Sequence, residues 1–483
     1  MNLKSVTRLL SLITIFMAFI LFIPTLVSVY YGEGEAVKAF LITIVIMLAV
    51  SLAGLFFSRN ISNFRISVKD SYLFVTLTWV ILTFFGAIPL YLTDVLDNFS
   101  QSYFEIMSGF TTTGAAVMVG IDTKMKGILF WRNMTNWLGG MGIVVLFVAV
   151  LPALGVKGTA LYGAESVGPT KDKLRPKIKE TAIILWGLYT GISALQVILL
   201  MLGGLDWFNA TTVMFGTMGA AGYAPHDASI AFYESAYVEW VCIIFMFIAG
   251  SNFALYYRIL QKKFSKVFHD GEYRLYWKIV LFSTLFVSLS LFSKGLFNLS
   301  DSVRHAAFQV VSFITTTGFS STNYTNWPIF AQTVLYVLCY VGGCAGSTGG
   351  GIKVVRIGVM MKLFKNSMIK RFHPNAVTTV RLGEDRYSND TIQAIAGFVG
   401  FYITNAIIGT LVLSLTEVDF LVVHTSVLLT LGNIGIGLGG IGTDFTFAIY
   451  PQWALWCFSF LMLVGRLELF TVYSLFTREF WRR

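Results

Sequence analysis

Stretches of about 20 predominantly apolar residues, enough to cross a bilayer as a helix, recur along the whole chain. They begin near Leu9, Ala39, Leu73, Phe130, Thr181, Tyr237, Ile279, Ile329, Ile392 and Trp453. The pattern predicts ten membrane spans and an all-α membrane protein. The first stretch, Leu9 to Tyr30, follows Lys4 and Arg8 as a secretion signal would. It is too long for the apolar core of a signal peptide, and Ser28-Val29-Tyr30-Tyr31 is a poor cleavage site, so it reads as a retained helix.

The polar positions between the spans fix an orientation. With ten spans and both termini cytoplasmic, 28 of the 35 Lys and Arg residues fall in inner segments, the richest being Lys353 to Arg386. Six lie outside (Lys38, Lys124, Lys126, Arg132, Lys294, Arg304), and Arg466 lies within the last span. This is the positive-inside distribution. The formal charge of +10 is therefore topogenic, and a continuous basic face for nucleic acid is not expected. Composition agrees: 56% of residues are hydrophobic and 12% charged, which no soluble chain of 483 residues could hide.

The outer segments are more than connections. Four of them are apolar, rich in Gly and Thr, and too short to cross. In each, an Asp precedes a Gly: Asp97 and Gly114, Asp206 and Gly222, Asp301 and Gly318, Asp419 and Gly435, at 17, 16, 17 and 16 residues. Successive glycines are 108, 96 and 117 residues apart, the mark of an internal repeat. The unit is span, half-helix, glycine loop, span, taken four times. An Asp or Ser opens the short helix by accepting its free N–H groups. About 12 residues reach only part-way through the hydrocarbon. The partly negative C-terminus then ends at depth, where it favours a cation. Extended backbone returning outward is tolerable there only if it lines a water-filled path. Glycine permits the dihedrals that turn carbonyl oxygens toward an ion. One such loop, Thr-Thr-Thr-Gly or Ala-Ala-Gly, could be a helix contact between small residues; four Gly loops, each after an Asp at matched spacing on one side, predict a pore.

At these residues the chain resembles the Trk/Ktr/HKT superfamily of potassium channels and transporters, in its TrkH-like bacterial branch. The resemblance spans essentially the whole chain. It includes Pro-His226-Asp227-Ala-Ser-Ile, the run Gly342 to Gly351, His373-Pro-Asn-Ala-Val and Gly465-Arg466-Leu-Glu468. It implies four pseudo-symmetric M1-P-M2 units around one pore, preceded by two extra helices: residues 1–65, then repeats at 66–155, 156–265, 266–386 and 387–483. It implies a selectivity filter at Thr112, Thr113 and Gly114; Ala221 and Gly222; Thr316, Thr317 and Gly318; and Asn433, Ile434 and Gly435. K+ is expected at Thr113, Gly114, Gly222, Thr317, Gly318 and Gly435. Relatives preferring sodium often carry Ser at the first filter glycine; four glycines favour potassium. Ala221 stands where relatives usually have Gly, and Ile436 where Pro is common. The resemblance also implies a homodimer in the bacterial inner membrane and a cytosolic ring of nucleotide-binding regulatory subunits. No Gly-rich nucleotide fingerprint follows a strand in this chain, so no cofactor is expected within it and any nucleotide binds the partner.

Two features predict gates. The third repeat's second span should be interrupted at Gly342 to Gly351, six glycines in ten residues with Ser347 and Thr348. Glycine is costly inside a helix, so this stretch should unwind below the filter. Gly346, Ser347, Thr348, Gly349 and Gly350 form its centre. Arg466, placed mid-span, is a charge that needs a role: near the axis it would oppose cations. Glu468, two residues on, cannot face it and should point at another element.

Other polar residues read plainly. Cys242, Cys339, Cys344 and Cys457 lack metal-ligand spacing and should be buried free thiols. His226 and His305 are expected at the surface and His424 packed. A membrane-embedded transferase would need an acidic cluster, yet the acidic residues scatter through loops and Glu468 alone is expected deep in a span. The ion-translocating subunit of an ATP-driven potassium pump, related in pore architecture, is the nearer alternative; co-purification with a pump subunit would separate the two.

Overall fold

The computed structural model describes residues 2–59, 67–142, 178–438 and 446–482. The expected boundaries at 65/66 and 155/156, and the basic stretch 157–177, lie outside them. Among the described residues the regular structure is helical, apart from one small hairpin pairing Arg381–Leu382 with Asp385–Arg386.

Helices Leu3–Ile20 and Phe22–Tyr30 form one span with a step at Leu21, just before Pro24. Gly34–Phe57 packs back on it, and both lean on the first helix of the first repeat, Val68–Leu92. Ser67 caps that helix in a reciprocal box with Asp70. The Asp70 carboxylate also accepts the Asn2 amide at 2.8 Å, tying the chain's start to the repeat.

The repeat is then visible four times. Long first helices run over Val68–Leu92, Ile178–Leu202, Gly271–Ser293 and Asn389–Leu413. Short pore helices follow at Phe99–Phe110, Trp207–Gly219, Leu299–Ile314 and Phe420–Gly432. Apolar side chains crowd the long first helices toward the pore helices, while Leu281, Phe282, Ile407 and Leu411 face outward and exposed, as lipid-facing positions require.

The second helices depart from the expectation of simple spans. Among the described residues, six spans are long and apolar enough to cross, and Ala236–Ala249 with Phe253–Leu260 makes a seventh bent by 95°. Lys126–Gly140 ends at Met141. Ile329–Leu338 and Val354–Phe372 flank an unwound stretch. Gln452–Arg466 breaks at Leu467 and Glu468 before Leu469–Ser474. Glycine content foretold the third break; two others fall at Gly250-Ser251-Asn252 and at Glu468 with φ +58°, and the first repeat's second helix ends just before Gly142 with φ +69°.

Candidate functional site

Each pore helix starts on a side-chain cap and ends in a left-handed turn. Asp206 and Asp419 cap the second and fourth helices, as expected. Asn98 and Asn298 cap the first and third in place of Asp97 and Asp301. Both asparagines have the same short acceptor and sit where the extended backbone begins. Asp301 is instead inside the first turn, where its charge suits the helix dipole.

The helix ends repeat more strictly than the sequence. Thr112, Ala220, Thr316 and Asn433 take φ +55°, +53°, +60° and +53°, and two residues later Gly114, Gly222, Gly318 and Gly435 take +78°, +69°, +81° and +85°. Between them, the amides of Thr113, Ala221, Thr317 and Ile434 donate to the carbonyls of Ser108, Gly216, Ser312 and Leu429 at 2.8, 3.1, 2.9 and 3.0 Å. This closes each helix by a bond from five residues on. In the two Thr-Thr-Thr loops, the Thr111 and Thr113 hydroxyls meet at 2.9 Å and those of Thr315 and Thr317 at 2.8 Å.

The four loops come together. A Cβ at Gly114 would strike the carbonyl oxygen of Ala221, one at Gly222 that of Thr317, one at Gly318 that of Ile434, and one at Gly435 that of Thr113. The contacts close a ring in chain order, and all four glycines line one cavity of about 270 Å³. Asn433 reaches from the fourth loop to the Thr113 hydroxyl at 2.9 Å. Thr112, Thr113, Ala221, Thr316, Thr317 and Ile434 are all fully buried at this ring.

Beneath it, the end of the first repeat's second helix and the breaks in the other three share one layer. The third repeat's second helix unwinds from Tyr340 to Lys353. Its Gly349 and Gly350 lie too close to the Thr315 and Gly432 carbonyls for any Cβ, directly under the third and fourth pore helices. The Gly350 amide donates to the Thr316 hydroxyl at 2.7 Å. Cys344 and Thr348 amides donate to Gly250 and Ala249 at the second break. Glu272 Oε1 accepts the amides of Ala345 at 2.8 Å and Val355 at 3.0 Å, clamping both ends of the loop. Lys353 Nζ donates to Gly349 across the inside.

Arg466 stands at a helix end in this layer, not mid-helix. Its guanidinium donates to the carbonyls of Thr348 at 2.9 Å, Gly139 at 2.6 Å and Gly140 at 3.0 Å. One side chain thus joins the second helices of repeats one, three and four. Glu468 turns away, as expected, and pairs with Arg356 at 2.6 Å.

Above the ring, sequence reasoning missed most of the polar structure. Glu105 and Arg132, the latter read as an outer loop charge, form a buried ion pair at 2.6 Å. Glu105 is fully buried, whereas Glu272 and Glu468 are half-buried. His226 is buried, its ring stacked on Phe232 with centroids 3.5 Å apart, and it bridges Asp122 at 2.5 Å and Asn209 at 3.0 Å. Burial alone would raise the Asp122 carboxyl; hydrogen bonds from His226 and the Asp227 amide hold it below the usual carboxylate range. Asp227 in turn accepts the Ile121 amide at 3.0 Å. His305 is buried against Ser321 and Glu239. These histidines follow short Pro, Asp or Arg segments that look solvent-facing in sequence, and only tertiary packing covers them. His424 packs between Thr410 and Tyr336 as expected. Three cysteines are buried free thiols and Cys457 is half-buried. Among the described residues, no group of His, Cys, Asp or Glu could hold a resident metal ion.

Four re-entrant glycine loops closing a ring within one helical membrane chain define an ion-transport protein. The chain belongs to the TrkH family of cation transport proteins, whose family model matches residues 36–482. It is 37% identical to the Trk system potassium uptake protein TrkH of Escherichia coli K12, with both chains covered in full. It is 30% identical to TrkG of the same organism, over 95% of this chain and 94% of that one. The crystal structure of the potassium transporter TrkH from Vibrio parahaemolyticus matches over the full length of both chains, with TM-score 0.88 and 32% identity.

Proposed function

We propose that the chain is the membrane subunit of a potassium uptake system and conducts K+ through the ring of four loops. The observation that carries this reading is the ring itself: four left-handed glycines, each packed on a carbonyl of the next loop. Thr113, Gly114, Ala221, Gly222, Thr317, Gly318, Ile434 and Gly435 supply carbonyls that replace the ion's water shell, and the helix C-termini below add negative potential. Thr112, Thr316 and Asn433 set the turn that aims them. The relatives' names specify potassium uptake, and four filter glycines agree with it.

In this reading the loop around Gly346, Ser347, Thr348, Gly349 and Gly350 is the gate and Arg466 is its latch and electrostatic barrier. Residues 1–65 brace repeats at 66–155, 156–265, 266–386 and 387–483. The protein works as a homodimer in the bacterial inner membrane with cytoplasmic termini. A cytosolic nucleotide-binding ring docks on the basic inner face and governs the gate. No enzymatic step is assigned to it.

The test is flux of Rb+, K+ and Na+ into liposomes carrying the purified chain. Saturable Rb+ flux, blocked by K+ far better than by Na+, is expected. Equal passage of Na+ and K+, or no flux in folded protein, would overturn the reading.

A further inference from the structure

The ion pair beside the outer end of the ring has no part in the pore reading above. Glu105 and Arg132 are both fully buried, yet Arg132 lines the same cavity as the four glycines. An uncompensated guanidinium there would repel arriving cations. Glu105 Oε1 accepts Arg132 Nε at 2.6 Å, while Oε2 accepts the amides of Val117 at 2.7 Å and Met118 at 3.3 Å, on the segment leaving Gly114. Arg132 lies 3.5 Å above the Tyr223 ring and donates to the Ala224 carbonyl at 3.4 Å, on the segment leaving Gly222. The Tyr223 hydroxyl donates back to the carbonyls of Glu105 at 2.8 Å and Ala115 at 3.0 Å. The pair therefore fastens the exits of the first and second loops to each other.

The repeats show that this charge is not a requirement of the fold. Nine residues before each loop glycine stand Glu105, Val213, Gln309 and Ser426. Gln309 holds the Phe319 carbonyl at 3.3 Å, and Ser426 meets the Tyr450 hydroxyl at 2.9 Å, both without charge. A buried pair carries a desolvation cost that neutral residues avoid, and losing one partner strands the other charge.

We infer that Glu105 is a positioning residue whose carboxylate both cancels Arg132 at the ion path and sets the outer geometry of loops one and two, so that cation flux follows the net charge of the pair. This rests on the proposed pore.

The test is Rb+ influx into liposomes at low and high ionic strength, adjusted with choline chloride, for the wild type, E105Q, R132Q and E105Q/R132Q, with thermal unfolding as the check on folding. At low ionic strength E105Q should lose about tenfold in flux, and the deficit should shrink as added salt screens the mouth. The double variant should return to within about threefold of wild type, because coupled partners are non-additive. R132Q should not fall below wild type. A double variant as impaired as E105Q, or a deficit indifferent to salt, would overturn the proposal while leaving the pore intact. Should E105Q fail to fold, low flux in folded R132Q and folded double variant would overturn it equally. A wild type that moves no Rb+ would remove the pore reading and this inference together.

Discussion

Gly318, at φ +81° and with no room for a Cβ beside the Ile434 carbonyl, sits in a place that only glycine fits. An alanine there meets the left-handed penalty of roughly 1–2 kcal/mol and must also push the fourth loop aside. Gly318→Ala should therefore fold but discriminate less, with the Rb+ over Na+ flux ratio falling about tenfold, or about 1.4 kcal/mol. An unchanged ratio in folded protein would place selectivity elsewhere. The four glycines were legible because each recurs 16 or 17 residues after an Asp at the start of its short helix. The caps themselves were half legible: Asp97-Asn98 offers two residues with the same short acceptor, and only the extended backbone at Asn98 decides between them. Glu105 and Arg132 were not legible, since they are 27 residues apart and each taken alone resembles a residue of the outer surface. What pairs them is the fold of one pore helix against its own repeat's second helix.

Among the elements, the second helices differ most from their sequence reading. Hydropathy marks where apolar residues are but is blind to where a helix stops, so the helix end before Gly142 and the breaks at Ser251 and Glu468 were hidden. Only the glycine density of residues 342–351 advertised its own. That loop has few side chains to hold it, and Glu272, from the first helix of the same repeat, supplies an anchor at each end. Glu272→Ala would leave the Ala345 and Val355 amides without their acceptor, at about 1–3 kcal/mol each. The expected result is a looser gate: basal Rb+ flux rises severalfold, and amide exchange quickens across residues 343–355. Glu272→Gln, which keeps an acceptor oxygen, should lie between. Slower exchange, or flux that falls in folded protein, would show that the clamp favours the open state.

For the whole molecule, Arg466 is the residue that unites the repeats. Its bonds to Thr348, Gly139 and Gly140 hold three second helices in one arrangement beneath the ring. In the proposed reading Arg466→Ala removes both these bonds and a positive charge from the ion path, so Rb+ flux should increase, by about tenfold if each charge-assisted bond contributes at the low end of 1.5–3 kcal/mol and only part of it opposes opening. Lower or equal flux in folded protein would assign Arg466 to stability alone.

The unequal residues nine places before the loop glycines have a broader consequence. A pore built from four identical subunits must copy every alteration around its circumference. A single polypeptide holding four divergent quarters escapes that constraint: it can stiffen one sector with charge, leave its neighbours neutral, and keep the circle closed. Tuning such a protein is a matter of adjusting one quadrant at a time.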